Sequence, residues 1–161
     1  MVSTKTIDSF LERIAKDDSK QSVANFRMSV PLMEGDYQFY KGIKEWQHVY
    51  PAAEFGKDES DNLIFKKSNG LLMLHFIHLM TDQEMEAARK AASLLPMTFA
   101  AITGADGRNL IVLVCICDEE GKIPEKEVDA ELLYQCAYEQ VKSLYLSQIQ
   151  AELKEEKPTI K

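Results

Sequence analysis

The segment Leu71-Leu72-Met73-Leu74-His75-Phe76-Ile77 constrains the fold more than any other part of the chain. These seven consecutive residues carry one polar side chain between them. The run falls far short of the about 20 apolar residues that a membrane-crossing helix needs. Gly70 precedes it, and a helix-start signal follows at Thr81. A short apolar run bounded in this way predicts a strand buried on both faces and central in its sheet. Such a strand needs neighbours on its edges and a layer over its faces. The 161 residues suffice for that as one domain. A chain of this size buries roughly 68–70% of its unfolded surface.

The flanking segments supply the partners. Ile7, Phe10, Leu11 and Ile14 recur at helical spacing and predict a first helix over 7–15. Asp17-Asp18-Ser19 offers caps for a second, which carries Val23, Phe26 and Val30 and stops at Pro31. Tyr37, Phe39 and Ile43 alternate with polar neighbours, a strand pattern, and 56–62 reads as a solvated loop. Thr81-Asp82-Gln83-Glu84 is a capping box. It predicts a helix to about Leu95, with Met85, Ala88, Ala92 and Leu95 facing inward. Segments 98–103 and 110–116 are β-rich and joined through Asp106-Gly107, a hairpin signal. Pro124 suits a helix start. Val128, Leu132, Cys136, Val141, Leu144, Tyr145 and Ile149 predict the inward face of a long last helix, reaching about Leu153. The expected class is α+β: an antiparallel or mixed sheet with helices packed on it. Residues 1–153 form the expected domain, and the polar tail 154–161 is expected to fray.

The net charge of −7 argues against a strongly electrostatic nucleic-acid binder. A sparse basic set remains: Lys41, Lys44, Lys66, Lys67 and Arg108. The N-terminus lacks a basic stretch followed by an apolar run, so a cytoplasmic protein without a membrane partner is expected. Cys115, Cys117 and Cys136 form an odd set, expected as buried free thiols.

Few signals carry chemistry. His75 and His78 are three apart, which on a strand points them to opposite faces. A zinc site needs three or four converging ligands. Gly104, Asp106, Gly107, Arg108 and Asn109 form a short loop that reads as a hairpin turn. It is also a candidate ligand loop, with backbone N–H groups and Arg108 as donors toward a phosphate. No helix follows it, so it is no P-loop. The acidic runs 58–61 and 118–120 read as solvated turns.

The order of segments resembles the N-terminal domain of the VirE-type (virulence-associated E) primase–helicase proteins of bacterial mobile elements. In that family an early helical segment ends in Leu-Pro, here Val30-Pro31. A hydrophobic strand of the form S-G-L-I-x-L-D-x-D follows, here Ser68 to Ile77. After a helix comes a loop like S-P-S-G-K-G-x-K, here Thr103 to Ile111. The closing helix corresponds to 125–153.

The resemblance implies an RRM-like sheet, as in archaeo-eukaryotic primases. There, two Asp residues hold a divalent metal at the nucleotide's phosphates and a basic residue after the loop assists. The corresponding positions here are His75, Ile77 and Ile111. Isoleucine ligates nothing, and one imidazole replaces hard oxygen ligands poorly. The expectation is therefore a catalytically inactive primase-like domain with no metal cofactor and a binding or assembly role. Its expected partners are a replication protein or helicase domain and, weakly, single-stranded nucleic acid. The alternatives are a small-molecule or nucleotide-binding domain, or an enzyme using His75, Asp106 and Arg108 around one pocket.

Overall fold

The computed structural model describes residues 6–16, 20–29 and 49–161. The expected caps at 17–19, the stop at Val30-Pro31, the strand pattern over Tyr37–Ile43, and Lys41 and Lys44 lie outside these residues. Two helices come first, α1 (Ile7–Lys16) and α2 (Lys20–Ser29). A hairpin follows, β1 (Ala53–Lys57) and β2 (Leu63–Ser68). Then come β3 (Leu71–Ile77), α3 (Asp82–Ser93), β4 (Thr98–Thr103), β5 (Leu110–Cys115), α4 (Glu127–Gln148) and β6 (Glu152–Leu153). The class is α+β. β1 and β2 form a two-stranded sheet, and the other four strands form a second sheet in the order β4-β5-β3-β6. Every pairing is antiparallel.

The apolar run is β3, and it is central, with β5 along one edge and the short β6 at the end of the other. Its two faces differ. Leu72, Leu74 and Phe76 face the main core and are at most 1% exposed. Met73, His75 and Ile77 on the other face are only half-buried. Against expectation, then, β3 is fully enclosed on one side alone. Across the ladder, Val112, Val114 and Leu110 of β5 continue the core face. From α3, Met85, Ala88 and Ala92 pack onto that core. The capping box starts α3 as expected: Glu84 N–H donates to Thr81 Oγ1 (3.1 Å), and Glu84 Oε2 accepts from Thr81 N–H (2.9 Å).

Four expectations are corrected. The loop expected over 56–62 begins later, because Gly56 and Lys57 belong to β1. Asp58 turns the chain by accepting backbone N–H bonds from Ser60 and Asn62, each 2.8 Å. The helix expected at Pro124 starts at Glu127 and ends at Gln148. It buries Ala130, Tyr134, Tyr138, Val141 and Tyr145, while Val128, Leu132 and Cys136 face solvent. An alanine-and-tyrosine face lets α4 approach closely and gives its buried rings polar ends to satisfy. All three cysteines are exposed: Cys115 ends β5 on the face opposite the core, Cys117 lies in the following loop, and Cys136 is on the outer side of α4. The tail does not fray. Ile160 is 3% exposed within the core, and Lys154 N–H donates to the His75 carbonyl at 2.8 Å.

The elements are also joined by a polar chain. Thr98 Oγ1 donates to the Ala92 carbonyl (2.6 Å) and lies 2.5 Å from Tyr145 Oη. With the threonine proton committed, Tyr145 must donate to Thr98. One hydroxyl of β4 thus ties α4 to the last turn of α3.

Candidate functional site

The free edge of β3 creates a cleft. In an antiparallel pair, alternate residues turn their backbone groups to the same edge. On the edge away from β5, β6 partners only Phe76 and Ile77. The His75 carbonyl is taken by Lys154, and Met73 N–H donates to Tyr134 Oη at 3.2 Å. A tyrosine of α4 therefore satisfies the strand where, among the described residues, no further strand pairs with it. The tail passes alongside, held by Glu131. That carboxylate accepts from Ile160 N–H (3.0 Å) and Thr159 Oγ1 (3.2 Å). Lys161 Nζ pairs with Glu127 (2.7 Å) and sits 5.8 Å over the Phe55 ring. Between edge, helix and tail lies a cleft of about 70 Å³, lined by Met73, His75, Tyr134, Tyr138, Lys154, Glu156, Lys157, Pro158, Thr159 and Lys161.

Glu156 Oε1 is 2.5 Å from Lys154 Nζ and 3.7 Å from His75 Nδ1. Burial pulls the His75 pKa below its ordinary value, and Lys154 adds to this, while Glu156 and Asp106 oppose it. Tyr134 and Tyr138 stack with centroids 6.5 Å apart and planes at 16°. Burial raises both phenols, so they remain O–H donors at neutral pH.

The other sequence-predicted residues fall elsewhere. Ile111 is the direct cross-strand partner of His75, and Ile77 lies two residues along the same β3 face, opposite Glu152. His78 contacts Glu152 at 2.8 Å rather than the cleft. In the 104–109 loop, Asp106 is 8% exposed, and its Oδ1 accepts from Arg108 N–H (3.0 Å) and Asn109 N–H (3.1 Å). Gly104 N–H donates to Asn109 (2.7 Å), and Gly107 N–H donates to Gly104 (3.0 Å). Gly107 sits at φ 74°, where glycine is favoured. Arg27 of α2 closes the loop from outside through the carbonyls of Ala105 and Gly104. The amides of Gly104, Gly107, Arg108 and Asn109 are thus spent on the loop's own turn. Asp106 and Arg108 do not line the cleft that holds His75. Lys66 and Lys67 lie on the other sheet and both reach Glu54, at 3.7 and 3.6 Å.

Sequence reasoning missed Tyr134, Tyr138, Lys154, Glu156 and Lys157. The spacing of Tyr134, Tyr138 and Tyr145 at i, i+4 and i+11 was the available signal for a buried tyrosine face. The tail residues had none, because only the fold brings them to β3. Among the described residues, no three His, Cys, Asp or Glu side chains group to hold a metal ion. No helix among them is long and apolar enough to cross a membrane.

The family model for the BT4734-like, N-terminal domain matches residues 41–161. No curated protein and no solved structure matches the chain. The chain belongs to the BT4734-like N-terminal domain family.

Proposed function

We propose that this BT4734-like N-terminal domain is a catalytically inactive, primase-like domain on an RRM-like sheet, with a binding or assembly role in mobile-element DNA replication. The observation that supports this reading is the register around His75. His75 and Ile77 share one face of β3, and Ile111 stands directly across from His75. Two carboxylates and a basic group placed there could share a metal and a phosphate. One half-buried imidazole and two isoleucines do not fit a hard divalent cation, and no nucleotidyl transfer follows from them. What remains is a surface for a replication protein or helicase domain, with single-stranded DNA as a weak ligand through Lys66, Lys67 and Arg108.

Two assays test the reading. Template-directed primer synthesis with Mg²⁺ or Mn²⁺ is expected to give no product. Metal-dependent synthesis lost in His75→Ala would overturn the inactive assignment. Fluorescence anisotropy with a 5′-hydroxyl oligonucleotide is expected to show no binding tighter than roughly micromolar at physiological salt. Nanomolar binding with a steep salt slope, weakened by Arg108→Ala, would make the domain a DNA-binding module instead.

A further inference from the structure

We propose that the cleft at the β3 edge binds a single phosphoryl group, either inorganic phosphate or the terminal phosphate of a nucleotide or oligonucleotide. The cleft holds more hydrogen-bond donors than acceptors. Tyr138 is 6% exposed, and its hydroxyl has no hydrogen bond among the described residues. Tyr134 is 5% exposed and accepts from Met73, which leaves its own O–H without an acceptor there. Lys157 has no ion-pair partner among the described residues, and Lys154 spends one of its three N–H bonds on Glu156. Glu156 is the one acidic side chain lining the cleft.

No buried side-chain donor is left unpartnered among the described residues, so the donors that face the cleft without a protein acceptor are open to water, and a ligand with several acceptor oxygens takes them together. The position of Glu156 marks where such an oxygen sits, between the Lys154 ammonium and the His75 ring. At 38% exposure its side chain can swing outward when an anion takes its place. About 70 Å³ admits a few waters or one phosphate-sized anion. Pockets for larger ligands run to about 300–1,000 Å³, so any sugar or base stays outside. The site does not depend on the replication role.

The test is calorimetric titration and ³¹P NMR with sodium phosphate at neutral pH. Wild type is expected to bind saturably. Glu156→Gln removes the internal competitor and is expected to tighten binding about tenfold, and Lys157→Ala to weaken it about tenfold. Tyr138→Phe is expected to weaken it several-fold, and exposed Lys157 keeps the test decisive if the tyrosine variant folds poorly. A second arm compares one oligonucleotide carrying a 5′-phosphate with its 5′-hydroxyl form. A preference for the 5′-phosphate strand over inorganic phosphate identifies a nucleic-acid end as the source; equal affinity identifies free phosphate. Binding indifferent to Lys157→Ala and Tyr138→Phe, or none in either wild type or Glu156→Gln, would overturn the proposal. Failure of the 5′-hydroxyl strand alone bears only on the replication reading.

Discussion

Replacing Thr98 by valine isolates the hydroxyl that joins α4, β4 and α3. The two side chains are close in shape and volume, so the change removes little besides the hydroxyl. The Ala92 carbonyl loses Thr98 but keeps the Leu95 N–H at 3.1 Å. The Tyr145 hydroxyl loses its partner inside a residue that is 0% exposed. Leaving a buried donor unmade costs about 1–3 kcal/mol. We therefore expect Thr98→Val to destabilise by about 2 kcal/mol, lowering Tm by about 4–8 °C in a chain of this size. Tyr145→Phe deletes the donor itself and should cost about 1 kcal/mol, the net worth of an ordinary hydrogen bond. In the double variant the orphan no longer exists. Its cost should fall short of the sum of the singles by about 1 kcal/mol. Urea unfolding of the four proteins, followed by circular dichroism, gives the cycle. Strict additivity, or a Thr98→Val cost below that of Tyr145→Phe, would refute a donor–acceptor chain ending on Ala92.

Further outcomes are expected elsewhere. The folded-state pKa of His75 lies below its unfolded value of 6.5, so its contribution to stability is present above pH 6.5 and is lost as pH falls through the folded value. Melting temperature should fall more between pH 7.5 and 5.5 in wild type than in His75→Asn; equal slopes would show that burial of the ring, with Lys154 beside it, sets no such shift. Ellman's reagent should titrate all three cysteines without denaturant, because each is exposed; a slow or missing equivalent would place one inside. Gly70→Ala should destabilise by about 2 kcal/mol or more, since φ is +63° and a Cβ would come 2.9 Å from the Ile116 carbonyl. A thermal scan indistinguishable from wild type would contradict that geometry.

The features legible in the sequence were those with a local physical cause. The apolar run of β3, the Thr81–Glu84 box and the Asp106-Gly107 turn each specify structure within a few residues. The face of α4 was not legible by hydropathy. Val128 and Leu132 are more apolar than Ala130 and Tyr134, yet the core accepts the latter because a tyrosine hydroxyl finishes the edge of β3. Cys115 looked like a core residue in an apolar strand, but it closes β5 on the face opposite Leu72 and Val114. The tail read as polar because one isoleucine among charges carries no periodicity; Ile160 is held by Glu131, 29 residues earlier, through a contact no local pattern encodes. The cleft was invisible for the same reason.

The strand order β4-β5-β3-β6 has a consequence for how the chain is made. β3 is strongly apolar, it carries no Asp, Glu, Lys, Arg or Pro, and both of its partners lie later in the sequence. Translation proceeds from the N-terminus at about 5–20 residues per second, so residues 78–115 take about 2–8 s to appear. During that interval β3 has the composition of a self-pairing segment and no native strand to pair with. Its edge stays open longer still, until α4 and β6 emerge. Nascent chains of this domain should therefore be most vulnerable to aggregation after β3 has left the ribosome and before β5 follows it. Faster delivery of β5 would protect the domain more than added stability in the finished fold.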